Sequence, residues 1–136
     1  MYKTQIRIVD FFDIQMCRKN RNCLFIFGDN EEKWGNGGQA IIRDEPNSFG
    51  IPTKKRPFQT PDSYWNDFEY ERNRKIIDKY FGFLECEIRK GKYKYIIFPK
   101  DGLGTGLAAL PKKAPRTFQY LNNRIKSLMD EYRSIH

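Results

Sequence analysis

The feature that most constrains this chain is the stretch from Leu24 to Arg43, where an apolar run meets a glycine-rich turn. Leu24-Phe25-Ile26-Phe27 is continuously apolar, the pattern of a strand covered on both faces. Gly28 to Gly38 is a polar turn that closes on Gly35, Gly37 and Gly38, and Gln39 to Arg43 then predicts the opening of a helix. Strand, glycine turn and helix start together gather backbone N–H groups around an anion, usually a phosphate. Glycine suits that role because it tolerates positive φ and lets a ligand come close to the backbone. Neither common phosphate motif is present: Gln39-Ala40 stands where a Walker loop needs Lys-Ser or Lys-Thr, and the Rossmann glycine spacing is absent. From this stretch alone, a tight turn with no ligand reads equally well.

A length of 136 residues fits one domain, 1–136, with a real core. Charged residues at 31% and aromatics at 15% argue against disorder. No apolar run approaches the length of a membrane span and no apolar leader opens the chain, which predicts a cytoplasmic protein without membrane contact. Cys17, Cys23 and Cys86 are odd in number and lack metal-ligand spacing, and the sole histidine is His136. Free thiols, no metal site, no cofactor and no histidine catalysis are expected. The net charge of +8 favours anionic partners: nucleotides, nucleic acid or an acidic protein surface. A protein that is basic without such a partner is the other reading.

Taken in order, Tyr2 to Ile8 alternates, with Tyr2, Thr4, Ile6 and Ile8 on one side of a half-exposed strand. Asp13 to Met16 predicts a short helical turn, and Arg18 to Asn22 a solvated basic loop. Pro46 ends the helix predicted after the first glycine turn. Ser48 to Lys54 reads as a strand that frays, because Pro52 does not suit a regular central strand. Asp62-Ser63 caps a short turn carrying Tyr64, Trp65 and Phe68, with Trp65 assigned to the core. A helix follows over about 69–90, with Ile76, Ile77, Tyr80, Phe81, Leu84 and Ile88 on one face and Gly91 as its C-cap. Tyr93 to Phe98 is a strand running into a second glycine loop, Pro99 to Leu107, which Pro111 and Pro115 close. A last helix spans about 116–133, its core face Phe118, Leu121, Ile125, Leu128, Met129 and Tyr132. The order β-β-α-β-α-β-α argues for a three-layer α/β/α sandwich.

In an open α/β sheet, loops that follow strands lie at the strands' carboxyl ends, where ligands bind. Two glycine loops facing one cleft suit a diphosphate better than a single phosphate. Asp29 and Asn30 are candidate acceptors for a base or ribose, and Thr53, Lys54 and Asp101 come from adjoining strand ends. Each has an ordinary alternative as a turn former or a solvated side chain.

An ordered set of three motifs resembles the macrodomains, which bind ADP-ribose. The nearest subclass is the one that removes ADP-ribose from acidic side chains through a lysine. Lys33-Trp34-Gly35-Asn36-Gly37-Gly38-Gln39-Ala40 is similar to that subclass's Met-Gly-Ala-Gly loop, and Ile51-Pro52-Thr53-Lys54-Lys55 to its Ile-Thr-Lys-Lys strand end. Ile96-Ile97-Phe98-Pro99-Lys100-Asp101-Gly102-Leu103-Gly104-Thr105-Gly106-Leu107-Ala108 is similar to its Gly-Cys-Gly-Leu-Asp loop. The resemblance covers about residues 2–128 and extends, more weakly, to small proteins of tailed phages.

The resemblance implies a reduced macrodomain-like mixed sheet. Asp29, Asn30, Trp34, Gly35, Gly37, Gly38, Gln39, Thr53, Gly102, Gly104, Thr105, Gly106 and Leu107 would line the ligand site. Lys54 would attack the ribose anomeric carbon, with Lys55 and Arg56 helping to lower its pKa. The subclass's acidic residue falls at Ala108, so Asp101 is the substitute. The final strand of a typical macrodomain is not matched, which leaves a sheet edge for a partner or a second copy. The expected partners are ADP-ribose or a related nucleotide and an ADP-ribosylated protein. The alternative is a basic protein that binds nucleic acid or a host protein through Arg18, Lys19, Arg21, Lys55, Arg56, Lys112, Lys113 and Arg116.

Overall fold

In the computed structural model, which describes residues 1–132, the apolar runs become strands whose neighbouring residues feed two separate cores. Strand β2 (Cys23–Asn30) sends Leu24 and Ile26 to one side and Cys23, Phe25 and Phe27 to the other. Strand β4 (Tyr95–Pro99) does likewise, with Ile96 and Phe98 in the first core and Ile97 in the second. With β1 (Gln5–Val9) and β3 (Ser48–Lys54), the described residues form a four-stranded sheet of order β1-β4-β2-β3. All its pairings are parallel, so the mixed sheet that the resemblance implies is not what forms, and a parallel sheet requires cover on both faces.

The larger core is closed by helix α2 (Tyr70–Arg89) through Ile77, Phe81, Leu84 and Ile88. It is completed by α4 (Pro115–Glu131) through Leu121, Ile125 and Leu128. The predicted partners Ile76, Tyr80, Phe118, Met129 and Tyr132 pack at its margin, and Trp65 is fully buried. The smaller core lies under α1 (Ile14–Lys19) and a single 3-10 turn, Gly38–Ile42. Asp13 caps α1, its carboxylate accepting from Met16 N–H at 2.9 Å. A four-residue helix, α3 (Leu110–Lys113), leads into α4. No helix among the described residues is long and apolar enough to cross a membrane. The three cysteines are free, and burial pushes the Cys17 thiol up to about 11.

The structure corrects several expectations. Gln39 to Arg43 does not open an α-helix; Ala40 N–H bonds Gly37 O and Arg43 N–H bonds Ala40 O, the tighter i to i+3 pattern. Only three residues separate Ile42 from Pro46, so no α-helix has room to propagate. β3 does not fray: Pro52 sits opposite Asp29 and Lys54 opposite Asn30, with Thr53 as an extra residue between them. β3 is an edge strand, where proline is tolerated. Only the centre of the β1 pattern is covered, leaving Tyr2 and Ile8 exposed. The turns around Tyr64 are 3-10 turns, the first (Pro61–Ser63) preceded by Thr60 and the second (Asp67–Glu69) capped by Asn66. The prediction for His136 and the far end of the last helix, Arg133, lie outside the described residues.

Candidate functional site

β2 and β4 stay paired only from Cys23 opposite Tyr95 to Phe25 opposite Ile97; beyond that they part. β3 continues the sheet on one side of β2 and β4 lies on the other, so this gap is the sheet's switch point. A cleft of about 640 Å³ opens there, within the range of small-molecule sites. Asp29, Asn30, Trp34, Gly35, Gly37, Gly38, Gln39, Thr53, Lys54, Asp101, Gly104, Thr105, Gly106 and Leu107 all line it. Gly102 does not, but its carbonyl accepts from Gln39 Nε2 at 3.2 Å while Gln39 Oε1 accepts Gly28 N–H at 2.9 Å. Gln39 therefore ties β2 to the second glycine loop.

The loops approach closely. A Cβ on Gly28 would stand 3.1 Å from Gly104 N, and one on Gly37 would stand 2.7 Å from Leu107 Cδ1. Gly104 adopts φ +80, and its Cβ would lie 3.0 Å from both Thr53 Cβ and Leu110 Cβ. Among the described residues, the N–H groups of Gly35, Asn36 and Gly37 have no protein acceptor, nor do those of Thr105, Gly106, Leu107 and Ala108. Successive unpartnered amides of this kind attract anions.

The polar ends of Asp29 and Asn30 already have protein partners. Both Asp29 carboxylate oxygens are bound by Arg43, at 2.6 and 3.0 Å, and Oδ1 also accepts Asn30 N–H at 2.7 Å. The Asn30 amide donates to Trp34 O at 2.9 Å and accepts from Lys33 N–H at 2.9 Å, closing the turn. Thr53 is buried, its hydroxyl donating to Asp29 O at 3.2 Å.

Lys54 is 6% exposed, and its ammonium donates to Phe58 O at 2.7 Å and lies 4.4 Å from the Tyr64 ring. Burial holds its amine below the ordinary value. The expected help from Lys55 and Arg56 is not the cause: Lys55 pairs with Glu69, and Arg56 with Glu32 and Asp62. Asp101 stands exposed on the cleft wall, and Ala108 is buried in it.

Sequence reasoning missed the β1–α1 connection, where Asp10, Phe11, Phe12 and Asp13 reach the cleft. Its position after a parallel strand was the available signal, since such loops share one end of the sheet. It also missed Phe58, whose ring meets Trp34 edge-on at 5.3 Å, and Arg43. Phe11, Trp34, Ile41, Phe58 and Leu107 are all exposed around the mouth, an apolar rim of the kind that marks a binding site.

Fold and site define a parallel α/β protein with a cleft at its switch point, walled by two glycine loops and holding a buried lysine. The chain belongs to DUF7831, a family of unknown function, whose model matches residues 7–124. No curated protein and no solved structure matches it.

Proposed function

We propose that the cleft binds ADP-ribose or a related diphosphate nucleotide on a reduced three-layer macrodomain-like scaffold. The observation that carries this reading is the pair of facing loops with unpartnered amides at the switch point. Two such runs match the two charged centres of a diphosphate, and the apolar rim suits the flat or sugar portions beyond it. Calorimetric titration with ADP-ribose at low and high salt tests it. Binding that survives added salt supports the reading; no heat with ADP-ribose, ATP or NAD contradicts it.

On the same scaffold, Lys54 serves as nucleophile in removing ADP-ribose from an acidic side chain. The neutral amine bonds the anomeric carbon, and the bond to the departing carboxylate breaks with its electron pair. Asp101 takes the amine's proton and returns it to the lysine nitrogen as the bond to the anomeric carbon breaks; water adds at that carbon, loses a proton to solvent, and ADP-ribose is freed. Burial of Lys54 favours the neutral amine, whereas its bond to Phe58 O stabilises the ammonium. The Phe58 segment must therefore give way before Lys54 acts. Release of ADP-ribose from a modified protein should vanish in Lys54→Ala; persistence of activity contradicts this chemistry.

A second reading, an interaction protein that grips nucleic acid, draws on Lys112, Lys113 and Arg116, whose side chains form no salt bridge among the described residues. Lys113 stands 4.8 Å from the Tyr64 ring and Arg116 3.8 Å from the Tyr70 ring, a cationic and aromatic rim beside the cleft. Arg18 and Arg21, by contrast, both pair with Glu45. RNA binding that falls steeply with salt supports this reading over the first.

A further inference from the structure

The first glycine loop separates two cavities. On one side is the cleft, which Gly35, Asn36 and Gly37 line and Arg43 does not. On the other is a groove of about 580 Å³ beside β3, which Arg43 lines and those three residues do not. Arg43 therefore stands behind the loop, seen from the cleft. Its Nε donates to Gly35 O at 2.9 Å, and Nη2 reaches Trp34 O at 3.4 Å, where Asn30 also donates. Its remaining donors fork onto Asp29, and the guanidinium lies 5.4 Å from the Phe27 ring.

The C=O and N–H of a trans peptide point in opposite directions, and there is no cis peptide among the described residues. Drawing the Trp34 and Gly35 carbonyls back toward Arg43 turns the next N–H groups, those of Gly35 and Asn36, the other way. That way lies the cleft. The same two N–H groups have no protein acceptor. Asp29 neutralises Arg43, so the guanidinium acts through the peptides and does not itself hold an anion.

We infer that Arg43 is a positioning residue: clamped to Asp29, it holds the 34–36 peptides with their amides facing the cleft, where they form an oxoanion cradle for one phosphate of the ligand. The inference rests on the anion-binding part of the reading above. It extends the cradle's determinants to Arg43, a side chain that does not line the cleft.

The test is an amide NMR titration of the whole chain with inorganic pyrophosphate, followed by ADP-ribose. In the wild type the Gly35 and Asn36 amides shift downfield on adding pyrophosphate. In Arg43→Ala that response weakens by about tenfold or more in affinity, the loss of a charge-assisted hydrogen bond. Added methylguanidinium restores part of it, which general destabilisation would not allow. Should Arg43→Ala fail to fold, Arg43→Lys takes its place; it keeps a cation beside Asp29 but cannot fork to both the carboxylate and the carbonyls. Amides that ignore pyrophosphate in the wild type overturn the cradle, as does an unchanged response in the variant. A response to pyrophosphate without any to ADP-ribose supports the cradle and defeats the nucleotide reading instead.

Discussion

The two glycine loops face each other across one cleft, yet they are held by different means. The first is braced by side chains: Asn30 and Arg43 hold its carbonyls, and Asp29 anchors Arg43. The second is held by its own backbone. Gly102 N–H bonds Pro99 O at 3.0 Å, Leu110 N–H bonds Gly104 O at 2.8 Å, and Gly104 is wedged against Thr53 and Leu110. Among the described residues, Gln39 alone links the two loops by side-chain hydrogen bonds. A loop braced from a distance fails when remote side chains change. A loop held by close packing fails when a side chain is added.

The largest effect expected from this contrast follows Arg43→Ala. It leaves the Asp29 carboxylate, 5% exposed, without its cation. Loss of one partner of a buried pair costs about 3 kcal/mol or more, to be read as a lower urea midpoint. A change under about 1 kcal/mol would show that the first loop does not depend on its brace. Gly104→Ala should follow, at about 2–3 kcal/mol, from overpacking together with a left-handed backbone that alanine disfavours. A neutral result there would break the second half of the comparison. Gln39→Ala leaves Gly28 N–H without its acceptor and frees the loops from each other, at about 1–2 kcal/mol. It should weaken ligand binding more than its stability loss explains, since it loosens both walls at once.

The smallest expected effect is a pH dependence at Lys54. Its folded pKa lies below the ordinary 10.5, so the unfolded chain binds more protons between the two values. Stability should therefore rise with pH across that window, and Lys54→Met should flatten the rise. The same titration sets the neutral amine, so any glycohydrolase activity should increase with pH through the folded value. A rate that falls over that range would argue against a lysine nucleophile.

Much of the frame was legible because periodicity reports burial directly. The faces of α2 and α4, the strands β2 and β4 and the second loop all follow from it. The details of the site were less so. Asp29 and Asn30 stood at the right strand end, but residue type does not say whether a carboxylate meets a ligand or an arginine fourteen positions on. Arg43 reads in sequence as one more surface cation. The 3-10 turn went unseen because its few residues carry an amphipathic pattern too short to distinguish it from the first turn of an α-helix. The apolar rim joins four chain segments, so no local pattern announces it.

The most direct test is thermal unfolding with and without ADP-ribose at moderate salt, with ATP, NAD and a short RNA as comparators. A ligand that binds only the folded state at about a hundred times its dissociation constant adds about 2.7 kcal/mol, which raises the midpoint by several degrees. That rise is expected with ADP-ribose, and a smaller one with ATP. No rise with any nucleotide, together with a salt-sensitive rise with RNA, would contradict it and move the function from the cleft to the basic rim.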